Sequence, residues 1–407
     1  MIYMDNAATT RLCEEAYEAM LPYLRESYGN PGGLYDQGLD ARRAVVTARE
    51  IIAETINAHP SGIYFTGSGT EADNWALKGL AELMNGPADG KGPVLADNVS
   101  KPHFITTSFE HHAVINTCRW LERKGCAISY VNPDTSGFIS VSDIEKYICR
   151  STALISVMLV NNELGTVQQA AGIGKAAHDH GLLFHTDAVT AYGHIPIDVK
   201  KMNIDMLSVS AHKFGGPKGT GFLYVNEGIK LPPLIHGGVQ EQGRRAGTEN
   251  VAGIAGMAAA AARACRNMKT NLDKRHKLDI YFMDRLNGHN REISSPGSRG
   301  YMLLNGYVSD DKHADGSASG TVRRLPGMLS ITIQGMDAEE LIVRLGMEGI
   351  CISAGAACAS SDEGGSHVLR AIGLDEKHIR STVRISMNED NTEEEIDMFF
   401  EAVKSIV

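Results

Sequence analysis

Between about residue 40 and residue 225 the chain alternates between stretches with one apolar face and short, continuously apolar or β-branched runs. Residues 39–57 put Ala44, Ala48, Ile51, Ile52 and Thr55 on one face at helical spacing. The turn Pro60-Ser61-Gly62 leads into a run of strand length at 63–66, and a second helix is expected over 71–84. Further strands are predicted at 103–107, 127–131, 154–160, 182–186, 206–210 and 221–225, with helical stretches between many of them. Buried strands alternating with helices predict an α/β fold, with a mostly parallel sheet covered on both faces.

After an Ala-rich helix at 251–265 the pattern changes to a mixed α+β one, with strands near 328–334, 349–353 and 382–387. The last helix opens at Thr392-Glu393-Glu394-Glu395, a capping box with acidic residues at the positive end of the helix dipole. A domain boundary is expected near residue 260, giving a large domain over 13–260 and a small one over 261–407 that also takes residues 1–12. Two polar, Gly-rich stretches, 85–101 and 309–320, are expected to be surface loops or partner contacts.

The 407 residues, 43% hydrophobic and 22% charged, fit a globular protein of more than one core and exclude a disordered chain or a fibre. The apolar stretches, 153–160 among them, are far short of the roughly 20 residues that cross a bilayer, and the N-terminus has no secretory signal pattern. A cytoplasmic location away from membranes is expected. The net charge of −10 argues against direct nucleic-acid binding. Seven cysteines at irregular spacing contain no Cys-x-x-Cys pair, so neither a zinc ribbon nor a disulfide framework is expected, and most should be small buried hydrophobes.

Three strand ends carry candidate chemistry. Thr66-Gly67-Ser68-Gly69-Thr70-Glu71 joins a strand to a helix; its glycines permit close backbone approach, and the helix N-terminus with the Thr70 hydroxyl suits an anion. A tight strand–helix connection would read the same way. Asp187 ends the next relevant strand, where open α/β sheets place ligands, although an Asp there also serves as a helix cap. Lys213, in Ser210-Ala211-His212-Lys213, follows a buried strand and precedes a Gly-rich turn; a lysine near apolar walls loses its proton readily and attacks carbonyls. A phosphate cradle, a carboxylate for a pyridine nitrogen and a lysine for an aldehyde together suggest pyridoxal 5'-phosphate.

The chain also resembles the cysteine desulfurases of the NifS/IscS type, class V of the fold-type-I pyridoxal-phosphate enzymes, nearly end to end. The motifs that carry the resemblance include Tyr3-Met4-Asp5-Asn6-Ala7-Ala8-Thr9-Thr10, Thr70-Glu71-Ala72-Asp73-Asn74, Glu110-His111-His112-Ala113-Val114, Asn161-Asn162-Glu163-Leu164-Gly165, Arg244-Arg245-Ala246-Gly247-Thr248-Glu249-Asn250 and Ser353-Ala354-Gly355-Ala356-Ala357-Cys358. The resemblance implies that Lys213 holds the cofactor and moves the Cα proton, that Asp187 pairs with the ring nitrogen and that His111 stacks on the ring and acts catalytically by shuttling a proton. Gly69, Thr70, Ser210 and His212 would hold the phosphate, and Thr248 would reach the phosphate of a neighbouring subunit, which implies a homodimer. Asn162 and Arg384 would hold the substrate carboxylate; a strand-edge surface charge is the other reading of Arg384.

Cys358 lies in a tract of small and polar residues that cannot pack rigidly, and its thiolate would take sulfur from L-cysteine as a persulfide for a sulfur-acceptor or scaffold protein. Cys351, by contrast, reads as a strand-interior core residue. Departures from the pattern are Thr190, where many relatives carry a Gln that reaches the cofactor's phenolic oxygen, and Asp362-Glu363-Gly364-Gly365 after the cysteine. Asn388-Glu389-Asp390 departs as well. The implied function is a desulfurase serving iron–sulfur cluster assembly or thiolation. A selenocysteine lyase or other class V lyase or aminotransferase, and a non-catalytic scaffold, are the alternatives.

Overall fold

The computed structural model describes residues 1–85, 101–293, 295–308, 322–355 and 365–407. Most of both expected loop stretches and Cys358 lie outside the described residues.

The chain opens with a two-residue strand, β1 (Ile2–Tyr3). The alternating region then forms seven strands: β2 (Ile63–Thr66), β3 (His103–Thr107), β4 (Ala127–Val131), β5 (Thr152–Ser156), β6 (Leu183–Asp187), β7 (Met206–Ser210) and β8 (Gly221–Val225). They make one sheet in the order β2-β8-β7-β6-β5-β3-β4. All neighbours are parallel except β8, which runs antiparallel to both β2 and β7. Every residue of β2, β3, β5, β7 and β8 is buried, as a sheet covered on both faces requires.

The expected strand 154–160 ends earlier, at Ser156. Val157 and Leu159 still donate to the carbonyls of His185 and Asp187, but the chain then turns through Asn161, whose N–H bonds Thr166 O at 3.0 Å. This turn delivers Asn162 and Glu163 to the carboxyl ends of the strands.

The C-terminal third forms β9 (Met302–Leu304), β10 (Met328–Ile333), β11 (Ile350–Cys351), β12 (Ser353–Ala354) and β13 (Thr382–Ser386). An antiparallel four-stranded sheet has the order β12-β13-β10-β9, and β1 pairs with β11 in parallel. The single strand expected at 349–353 is therefore two, divided at Ile352 because each half serves a different sheet. Cys351 is half-buried there, not a core residue. The wider expectation of buried cysteines is corrected too: Cys118 and Cys126 are buried, Cys13 and Cys265 are half-buried, and Cys149 is exposed.

The helix expected at 251–265 runs unbroken from Val251 to Glu292, so residue 260 falls inside it. Its first half packs Ile254, Met257, Ala260 and Ala264 into the core of the large sheet. Its second half packs Leu278, Phe282 and Leu286 into a second core, with Ile2, Met4, Ile331, Ile385 and Phe399. The helix from Glu393 to Ile406 has the expected capping box, Thr392 Oγ1 accepting from Glu395 N and Glu395 Oε2 from Thr392 N, each at 3.3 Å. Among the described residues no helix is long and apolar enough to cross a membrane.

Candidate active site

The ends of β2, β3, β6 and β7 open into a cavity of about 270 Å³. One end is built by the β2 exit. Ser68 Oγ accepts from Glu71 N at 3.1 Å, opening the helix Gly69–Asn85, while Glu71 Oε2 accepts from Gly67 N at 2.7 Å. Arg245 clamps the same carboxylate at 2.8 Å, so the loop is fixed from outside. A Cβ on Gly69 would lie 2.5 Å from Val189 Cγ2, so this position admits only glycine without rearrangement. Thr70, Ser210 and His212 line the same end. His212 is pushed down to about 4, by burial first and then by Lys213 and Lys218, so its ring is neutral at pH 7.

Asp187, at the end of β6, is buried and accepts from Val189 N through Oδ1 at 2.9 Å. Burial outweighs that bond and the Lys213 charge, and lifts the carboxyl to about 6. Lys213 follows β7 in the short turn Ala211–Lys213, and its Nζ donates to the carbonyls of Ala7 and Ala8, the latter at 3.1 Å. The N-terminal motif thus reaches across the fold to aim the lysine.

His111 precedes the helix His112–Arg123 and caps it, Nδ1 accepting from Ala113 N at 3.1 Å. Its proton is therefore assigned to Nε2. Burial first, then Lys213, pushes it down to about 4 and keeps the ring neutral. His112 meets His111 edge-on with centroids 6.3 Å apart, and His367 meets His112 at 4.7 Å with the rings tilted by 52°.

Arg384, on β13, is 2% exposed, which rules out the surface-charge reading. Its fork is largely committed: Nη1 donates to Asn162 O at 2.9 Å, and Nη2 to Asp5 Oδ1 at 3.0 Å and Ser353 Oγ at 2.9 Å. Arg384 Nε and Asn162 Oδ1 are buried with no protein partner.

Gly69, Thr70, His111, Asn162, Asp187, Thr190, Ser210, His212, Lys213 and Arg384 all line this one cavity. Thr248 does not; it is exposed. Two acidic residues in the wall were missed as site residues, although both sit in motifs read from the chain. Asp73 is buried, His185 Nε2 lying 3.6 Å from Oδ1, and burial and then Asp187 push its carboxyl well up against the pull of Ser208. Glu163 is buried beside Arg384.

The chain matches the aminotransferase class-V family over residues 2–295 and 314–399. It is 40% identical to the cysteine desulfurase IscS of Methanosarcina thermophila, over all of this chain and 92% of that one. Among solved structures, a NifS-like protein superposes with a TM-score of 0.85 at 33% identity, covering all of this chain and 98% of its own. A structure described as SspA in complex with cysteine superposes with a TM-score of 0.76 at 35% identity, covering 96% of this chain and all of its own.

Proposed function

We propose, for a chain that belongs to the aminotransferase class-V family and within it to the cysteine desulfurases, that it converts L-cysteine to L-alanine and passes the sulfur to Cys358 as a persulfide. Its fold is the fold-type-I one of the NifS-like structures. The observation that carries the reading is the convergence of Lys213, Asp187, His111, Asn162 and Arg384 on one cavity. Supply of sulfur to iron–sulfur cluster assembly follows from the IscS relatives.

Pyridoxal 5'-phosphate fits these residues. The Gly69 cradle, the helix N-terminus at Gly69–Thr70, Ser210 and the neutral His212 would take its phosphate. Lys213 would hold its aldehyde carbon, Asp187 its ring nitrogen and His111 one ring face; Thr190 would reach its phenolic oxygen with a shorter side chain than Gln. When bound, the cofactor supplies an electron sink that makes the substrate's Cα–H acidic and the Cβ–S bond breakable.

The protein's own residues do the rest. Arg384 Nε and Asn162 Oδ1, both buried without a protein partner, are the groups offered at the substrate end, the first for its carboxylate. Asp5 and Ser353 hold the guanidinium still, so little side-chain entropy remains to be lost on binding. Lys213 Nζ, aimed by Ala7 and Ala8, takes the Cα proton. Asp187 in its ionised form keeps the ring nitrogen protonated, and the neutral His111 covers the ring without adding charge.

Thr248, exposed on a segment whose Val239 is 88% exposed, would complete the phosphate site of a second copy, making the enzyme a homodimer. The sulfur leaves to an acceptor or scaffold protein. Residues 13–260 would form the cofactor domain, and 1–12 with 261–407 the smaller one that carries Cys358.

The direct test is alanine formed from L-cysteine by the cofactor-loaded protein. Alanine and protein-bound sulfur in equal amounts are expected; turnover of L-selenocysteine alone would replace the desulfurase with a selenocysteine lyase. Asp187→Asn is expected to lower alanine formation by about 10²–10³-fold and to change the absorption of the bound cofactor, with KM nearly unaltered. Steady-state kinetics with near-normal turnover would remove Asp187 from its role.

A further inference from the structure

The direction in which the Lys213 side chain leaves the backbone is set by the two peptide groups on either side of its Cα. The first is held from the N-terminal segment: His212 O accepts from Thr10 N at 2.8 Å and from Thr10 Oγ1 at 2.9 Å. The second is held by a different pair of residues. Lys213 O accepts from His194 Nε2 at 2.9 Å, and His194 Nδ1 accepts from Arg275 Nη1 at 3.1 Å. Neither His194 nor Arg275 lines the active-site cavity.

An arginine nitrogen only donates, so Nδ1 of His194 is assigned as bare and its proton as sitting on Nε2, facing the carbonyl. Gly193 brings the ring there. Its φ is +80°, and a Cβ on it would lie 2.8 Å from Phe214 Cβ and 3.1 Å from Ala264 Cβ, so the chain approaches the lysine turn as only glycine allows. Packing does not fix the turn on this side, because His194, Lys213 and Arg275 border a second cavity of about 40 Å³. The hydrogen bonds are what hold the Lys213 carbonyl.

Arg275 is 3% exposed and lies on the long helix, between the half that packs in the first core and the half that packs in the second. Its charge is met by Glu389, Nε lying 3.8 Å from Oε2, and Glu389 Oε1 accepts from Asn271 Nδ2 at 2.8 Å. Glu389 belongs to the stretch 388–390 and follows β13, the strand that carries Arg384. Lys213 follows a strand of the large sheet and Arg384 lies in the small one. The line Glu389–Arg275–His194–Lys213 O is a polar connection between the two.

We infer, on the reading that Lys213 takes the Cα proton, that His194 and Arg275 are positioning residues for that step. Arg275 fixes the His194 ring, His194 fixes the Lys213 carbonyl, and the amine therefore meets Cα in an orientation set from the junction of the two cores.

The test uses the cofactor-loaded enzyme. His194→Phe keeps a planar ring without a donor and is expected to slow Cα proton removal by about 10–10²-fold, with KM for L-cysteine nearly unchanged. Stopped-flow mixing with L-cysteine and with its Cα-deuterated form identifies the deuterium-sensitive phase, whose rate should fall. A variant that is only less stable would lose amplitude in that phase and keep its rate. Visible circular dichroism of the bound cofactor reports how the lysine holds it, and should change in His194→Phe before any substrate is added. His194→Gln places an amide donor near the position of Nε2 and should recover most of the rate. Arg275→Lys keeps the charge beside Glu389 with a different reach, and should slow the phase less than His194→Phe does.

An unmoved rate in His194→Phe overturns the proposal, as does cofactor dichroism identical to the wild type or a Gln variant no faster than the Phe one. If His194→Phe fails to fold, an unmoved rate in Arg275→Lys overturns it. A wild type that makes no alanine sinks the desulfurase reading itself, whereas an active wild type with an unmoved rate in His194→Phe sinks only the roles of His194 and Arg275.

Discussion

Lys213→Ala is expected to lower alanine formation by at least about 10⁴-fold and to abolish the visible absorption of covalently held cofactor. The lysine is placed by two long-range constraints. It ends a short turn after the fully buried β7, and its Nζ is drawn to the carbonyls of Ala7 and Ala8 at the far end of the chain. On the proposed roles, removing the amine would remove both the group that holds the aldehyde and the base for Cα–H, so two losses would combine in one variant. The backbone around it should survive, because Lys213 O still accepts from His194 Nε2 at 2.9 Å and the turn is closed by Phe214 N to Ala211 O. Circular dichroism should therefore match the wild type. Partial rescue by small primary amines in the assay would show that the missing function is the amine. An Ala variant that keeps its turnover would mean the lysine is not the base.

Cys358→Ser is expected to cut alanine formation by about 10³-fold or more, while cofactor absorption and its response to L-cysteine stay as in the wild type. A hydroxyl is far less ionised than a thiol at neutral pH and is a poor nucleophile toward sulfur. The predicted split between intact binding and lost turnover separates this residue from those of the cavity wall, whose loss disturbs cofactor or substrate directly. Protein-bound sulfur, measured after mixing with L-cysteine, should disappear with the thiol. Equal alanine from both proteins would mean that sulfur leaves without a protein persulfide.

Much of this site was legible before folding because its residues stand where local rules put them. Thr70 follows a glycine turn at a strand–helix junction, Asp187 and Ser210 end apolar runs, and Thr392 opens a capping box; each signal spans fewer than about ten residues. Errors came where one segment serves two partners. The run at 349–353 divides at Ile352 because β11 pairs with β1 and β12 with β13. The Ala-rich stretch at 251–265 is the start of a 42-residue helix whose halves face different cores, so its apolar stripe changes partner partway and its later turns looked unlike its first.

By itself the chain determined which residue types line the cavity, at which strand ends they fall, and the approximate length of most strands in the large sheet. These follow from local periodicity and turn chemistry. Tertiary structure decided that β8 lies antiparallel between β2 and β7, and that Ala7 and Ala8 aim a lysine some 205 residues away. It also decided that Arg384 spends most of its donors on Asp5, Ser353 and Asn162. Protonation was decided there too. Asp187, His111 and Glu163 have ordinary titration behaviour in an unfolded chain, and depart from it because burial removes the water that would stabilise charge. That burial is made by contacts between residues far apart in the chain, which local patterning does not encode.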